Sequence, residues 1–197
     1  NPTITSISPD TITNTQTAIT ITGTNYISIP TVDAILTTGA IVPADTVTFN
    51  NSTSLTCNFT LPVDGTYYIR IENNDGLAVR SSTALLTVSD APTWTTASGT
   101  LGTIAGDFSG TVATVAATGD STLAYSETTS VLTNAAQANC SLNSATGVIS
   151  TTDFGGSSTT ATTYTFTLRV TDAEGQTADR QFSLTSSFGA TGGGQFN

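Results

Sequence analysis

The stretch YYIRIENNDGLAVR, from Tyr67 to Arg80, sets two alternating runs around Asn73-Asn74-Asp75-Gly76. Alternation at period two marks a strand with one buried face, and Asn, Asp and Gly tolerate the positive φ of a tight turn. The stretch therefore reads as a β-hairpin with Tyr67, Ile69 and Ile71 facing inward and Tyr68, Arg70 and Glu72 facing outward. Later in the chain, YTFTLRVTDAEGQTADR (Tyr164 to Arg180) repeats the device around Asp172-Ala173-Glu174-Gly175. Its inner row is Tyr164, Phe166, Leu168 and Val170, and its outer row is Thr165, Thr167 and Arg169. The two hairpins hold all four arginines of the chain: Arg70, Arg80, Arg169 and Arg180. One hairpin plan used twice predicts two domains built alike.

The rest of the chain agrees with that reading. Alternating runs recur at TAITITG (17–23), TVDAIL (31–36), DTVTF (45–49), SLTCNFTL (54–61), TVATVAA (111–117) and TLAYSE (122–127). Turn residues punctuate them at roughly 8–12-residue intervals, and helical periodicity is almost absent. The expected fold is all-β, two tandem immunoglobulin-like β-sandwiches over residues 1–89 and 90–187, followed by a Gly-rich tail over 188–197. The join is expected in VSDAPTW (88–94), where Pro92 ends one strand and Trp94 opens the next domain.

Composition narrows the function. The 197 residues include 14 acids, four arginines, no Lys, no His and no Met, for a net charge of −10. Thr is the commonest residue, and as a β-branched side chain it fits a pleated, half-buried surface. Four cations neutralise few phosphates, and the net field repels polyanions, so neither nucleic acid nor an anionic membrane is an expected partner. No apolar run approaches the ~20 residues that cross a bilayer. The chain opens on Asn1 with no signal-peptide pattern, so a processed product or an internal piece of a longer polypeptide is expected.

Without His or Lys, the usual triads, Schiff bases, His metal sites and phosphate loops are closed. The acids fall mainly in turns rather than in pairs flanking a cleft, so no enzymatic activity is expected. Cys57 and Cys140 fall in different domains and read as two unpaired, largely buried thiols.

Two family resemblances follow from particular residues. NPTITSISPDTITNTQTAITITGTNYI (1–27) resembles the opening of the IPT/TIG family of immunoglobulin-like domains. Pro2, Ile4, Ile7 and Pro9 carry the likeness, with AITITG followed by Thr24-Asn25-Tyr26. DGTYYIRIENNDGLAVRSS (64–82) resembles that family's penultimate hairpin. The second half resembles the putative-immunoglobulin, cadherin-like domains of bacterial surface and phage proteins. SLNSATGVIS (141–150) supplies Leu142, Asn143, Thr146, Gly147 and Ile149 of their motif, and RVTDAEG supplies the hairpin. Thr151-Thr152-Asp153 departs from the family's Gly-Thr-Pro, which predicts a remodelled loop. The motif itself is expected to be a strand-turn-strand corner, with Leu142, Val148 and Ile149 packed inward and Gly147 permitting the turn.

The resemblances imply a non-enzymatic structural module of a phage virion, in a tail fibre, appendage or surface decoration. It would sit at the virion surface against other virion proteins and copies of itself, and project a surface for a host glycan or protein. The alternative is an adhesion module on a bacterial cell surface. Thr-rich edge strands would suit pairing between copies. The cadherin likeness leaves Ca²⁺ as the one cofactor to weigh, with Asp90, Asp107, Asp172 and Glu174 as candidate ligands and Asp153 beside them. Tyr26 and Trp94, near Asn and Thr, are the candidate aromatics for stacking on a glycan.

Overall fold

The structure is a computed structural model that describes residues 1–156 and 160–187, and among these the regular elements are all strands. The chain divides into two compact units, one of Asn1–Asp90 and one from Ala91 onward. The division falls inside VSDAPTW. The expected Gly-rich tail lies outside the described residues.

The first unit contains β1 (Thr3–Ser8), β2 (Thr11–Ile12), β3 (Thr17–Thr24), β4 (Thr31–Leu36), β5 (Ile41–Pro43), β6 (Thr46–Asn51), β7 (Ser54–Phe59), β8 (Gly65–Glu72), β9 (Ala78–Arg80) and β10 (Leu86–Val88). One sheet runs β1-β3-β7-β6 and the other β2-β10-β8-β4-β5, with β9 also on β8. Alternation places Ile19, Ile21, Leu55, Cys57 and Phe59 of the first sheet in one buried cluster with Val32, Ala34, Tyr67, Ile69 and Ile71 of the second. Each large apolar side chain removed from water here contributes ~1.5–3 kcal/mol.

The second unit contains β11 (Thr93–Trp94), β12 (Gly99–Ala105), β13 (Gly110–Thr114), β14 (Ala117–Thr118), β15 (Ala124–Glu127), β16 (Cys140–Leu142), β17 (Val148–Thr151), β18 (Thr162–Thr171) and β19 (Thr177–Ser187). Its sheets run β12-β19-β18-β15 and β13-β17-β16, with β11 paired to β14. Phe166, Leu168, Val170, Phe182 and Leu184 meet Ile149, Leu132 and Phe154 in its core.

Both units use one hairpin geometry. Asn73 N–H donates to Leu77 O and Gly76 N–H to Asn73 O; Asp172 N–H donates to Gln176 O and Gly175 N–H to Asp172 O. Gly76 and Gly175 hold φ of 83° and 87°, in the left-handed region that side chains with a Cβ seldom enter. In each unit an early strand also runs parallel to a late one, β2 with β10 and β12 with β19.

The strand-turn-strand corner at 141–150 forms, with Ile149 in the core and Leu142 packed against it, but Val148, expected inward as well, alternates with Ile149 and does not join that core. Asn143 Oδ1 accepts from Ala145 and Thr146 N–H, and Ile149 is fully buried while Leu142 and Val148 are half-buried. Gly147 is required twice over, by its φ of 70° and because a Cβ there would lie 2.2 Å from Val115 O.

The edges follow a rule. Each of the four register shifts in the described sheets places its extra residue on an outermost strand: Thr5 on β1, Asn50 on β6, Leu101 on β12 and Val112 on β13. These are the edge strands of five residues or more; β2, β5, β9, β15 and β16 span four or fewer. A bulge leaves an unpaired residue and bends the strand, which spoils it as a template for another chain. Pairing between copies through Thr-rich edges, expected from the sequence, therefore meets an obstacle at each long edge described.

Candidate functional site

At the end of the second unit where the chain enters it, two turns converge. β15 pairs with β18 in the register Ala124↔Thr171, so the turn before β15 and the hairpin after β18 fall side by side. Asp120 lies in the first turn, and Asp172 and Glu174 in the second. Their carboxylate oxygens come within 4.8 Å of one another. Ser121 ties the turns together: its hydroxyl donates to Glu174 Oε2 at 2.5 Å and accepts from Ala173 N–H at 3.1 Å.

The three acids are not equivalent. Asp120 and Glu174 are exposed, whereas Asp172 is 6% exposed. Asp172 Oδ1 accepts from Gln176 N–H at 2.7 Å, but Oδ2 is buried without any hydrogen-bond partner. Leaving a buried anionic oxygen unsatisfied is costly, and native folds rarely do so without a compensating group. A hard cation is such a group. Ca²⁺ takes six to eight oxygen ligands, and three carboxylates with water would supply them.

Asp107 and Asp153, also weighed from the sequence, are placed elsewhere in the second unit. Asp107 follows β12, whose Ala105 pairs with Ser187 at the far end of β19, and Asp107 N–H donates to Phe154 O beside Asp153. The trio adjoins Thr177, the other end of that 11-residue strand. At ~3.3 Å per residue, on the order of 30 Å separates the two groups. Asp90 is an exposed residue at the end of the first unit. Asp120, not among the candidate ligands taken from the sequence, joins the cluster because β15 pairs with β18.

Both candidate glycan-stacking aromatics are buried, which corrects the expectation. Tyr26 is 2% exposed, its ring folded over Gly23, where a Cβ would lie 2.1 Å from the phenol oxygen. Burial, and then the neighbouring Cys57, pushes that phenol up to about 12. Trp94 is 5% exposed, with ring centroids 5.3 Å from Phe182 and 5.8 Å from Tyr125, and its Nε1 donates to Ala178 O at 3.0 Å. Neither face is open to a sugar ring.

Cys57 and Cys140 are free and buried. Burial pushes the Cys140 thiol up to about 11, away from the thiolate a nucleophile needs. Cys140 borders a shallow concavity of ≈ 250 Å³ with Asn139, Ser141, Ser150, Thr151 and Thr152, a neutral polar lining without a general acid or base.

These features belong to an all-β protein of tandem sandwich domains. No family model matches the chain, and no curated protein matches it. Solved structures that resemble it include the protocadherin gammaB4 extracellular domain, at 15% identity and a TM-score of 0.42 over 95% of this chain and 33% of that one. Drosophila N-cadherin EC1-4 is 11% identical with a TM-score of 0.43, over 94% and 50%. Mouse cadherin-23 EC22-24 is 16% identical with a TM-score of 0.43, over 94% and 66%. The chain thus spans about a third of the first of these structures and half of the second. Among the described residues, no helix is long and apolar enough to cross a membrane.

Proposed function

We propose that this chain is a non-enzymatic structural module displayed on a surface, and that Asp120, Asp172 and Glu174 hold a Ca²⁺ ion in its second sandwich. The observation that carries the cation is the buried, unpartnered Oδ2 of Asp172, on a carboxylate that has an oxygen within 4.8 Å of those of Asp120 and Glu174. An ion there would join the turn before β15 to the hairpin after β18 and stiffen that end of the sandwich. Its contribution is to stability, which rises with the logarithm of the free Ca²⁺ concentration once that exceeds the dissociation constant.

The host structure in this reading is a phage tail fibre, appendage or surface decoration, with other virion proteins and further copies as partners. A Lys-free, acidic surface on a tandem of sandwiches supports it, because such a surface resists non-specific association in a salty medium.

Two measurements test the proposal. Thermal unfolding in 1 mM CaCl₂ against EDTA is expected to show a higher Tm with Ca²⁺, and Asp172→Asn is expected to abolish the difference. Equal Tm values in the parent protein would remove the cation site. For location, the source material is fractionated on a density gradient and searched for peptides of this chain. Co-migration with nuclease-protected DNA supports the virion; co-migration with cell envelope replaces it with a bacterial adhesion module.

A further inference from the structure

The outward face of the sheet containing β8 holds an arrangement that the fold does not explain. Arg70 and Arg80 stand directly opposite each other on β8 and β9. Like charges in that position are destabilising, and this chain has only four cations against 14 acids. Compensation reaches one of the pair. Arg70 is held by Asp33, at 3.2 Å, and by Glu72. Arg80 has no ion pair among the described residues and lies over the ring of Tyr68, 4.5 Å from its centroid. Arg169 has Asp179, and Arg180 donates to the carbonyls of Trp94 and Thr96. Arg80, an exposed residue, is thus the cation without a carboxylate or carbonyl partner among the described residues.

Its position is fixed. Ser81, buried directly after it, ends β9 by donating its N–H to Ile69 O, accepting from Ile69 N–H and donating its hydroxyl to Thr83 O. Beside the stacked pair runs an apolar row in register across three strands, Ile41↔Ile35↔Tyr68, in which Ile41 is 64% exposed. A preoriented guanidinium on a tyrosine, flanked by open aliphatic surface, has the composition of a binding hot spot.

We infer that this face docks an acidic polypeptide segment, seating one carboxylate on Arg80 and an aliphatic side chain on Ile35 and Ile41. Charge complementarity selects the carboxylate. The aliphatic row selects a protein partner over an acidic glycan: a sugar ring favours an open aromatic face, and Tyr68 is already covered by Arg80. The inference is independent of the cation in the second unit.

The test is a two-dimensional amide NMR titration of the full chain with three probes: a short alternating Leu-Glu peptide, its Leu-Lys counterpart, and polygalacturonate. Shifts confined to β4, β5, β8 and β9 are expected with the Leu-Glu peptide alone. Arg80→Gln and Ile41→Ser are each expected to weaken that binding about tenfold or more, the scale of a hot-spot truncation. Arg169→Gln, in the other unit, is expected to leave it unchanged. Absence of shifts, equal shifts with Leu-Lys, a response to polygalacturonate alone, or parent-like affinity in Arg80→Gln would each overturn the inference.

Discussion

The two faces of the first sandwich share a core and differ in almost everything outside it. The four strands β1, β3, β7 and β6 contain no charged residue, although the chain carries a net charge of −10. Most of their outward side chains are hydroxyls and amides, and several satisfy one another across strands: Thr3 with Thr24, Asn58 with Thr46, Asn50 with Ser54 and Thr56. The opposite sheet concentrates Asp33, Arg70, Glu72 and Arg80 on one side and sets two arginines against each other. One face is built from cheap cross-strand pairs. The other holds an arrangement that folding alone would not select.

The largest effect tests whether the shared core is in fact shared. Ile21 lies under the neutral face and Ile69 under the charged one, both fully buried. Ile21→Ala and Ile69→Ala are each expected to cost about 2–5 kcal/mol in urea unfolding. A loss confined to one of them would show that the faces differ down to the core.

Acid comes next, with the neutral face as a baseline that has nothing to titrate. In the second unit Glu127 accepts N–H bonds from Val131, Leu132 and Thr133 and hydroxyl bonds from Thr129 and Thr133. Burial alone would raise its carboxyl, but the N–H donors of Val131, Leu132 and Thr133 and the Thr129 hydroxyl together hold it below the usual range. A lowered folded pKa gives stability that is present above the unfolded value, near ~4.3, and is lost as pH falls through the folded value. The stability gap between parent and Glu127→Gln is therefore expected to be constant at neutral pH and to shrink below that value. A gap independent of pH would assign the role of Glu127 to shape alone.

Smaller effects sharpen the contrast between the faces. Asp33→Asn is expected to cost about 0.2–1 kcal/mol, reduced in high salt, as for partly exposed pairs generally. Arg80→Gln relieves the like-charge contact and is expected to leave the Tm unchanged or slightly raised, even as it removes binding. Smallest is Thr20→Val on the neutral face, within about ±0.5 kcal/mol by chemical denaturation.

The hairpins were legible because alternation and turn chemistry are local. β12 was not: Gly99 and Gly102 interrupt its pattern, and its pairing with β19 joins residues far apart in sequence. Two residues of the acidic trio were legible in TDAEG, but Asp120 entered through strand pairing, which a turn motif does not encode. For the same reason, the choice between stacking and packing for Tyr26 and Trp94 was not legible. Whether an aromatic is open to a sugar depends on what folds over it, here Gly23 for one ring and Phe182 with Tyr125 for the other. Arg80 could be seen in the sequence only as half of a symmetric pattern; its lack of a carboxylate partner is a property of the register.

The bulged edges bear on crowding. Copies held side by side are concentrated far beyond what free solution allows, and β-branched sequence is the kind most prone to zip strand to strand into fibrils. Here each long outer strand described carries one residue too many to zip. A Thr-rich chain with such edges leaves its faces and loops, whose side chains can be selective, as the surfaces open to a neighbour, rather than a backbone template that cannot be.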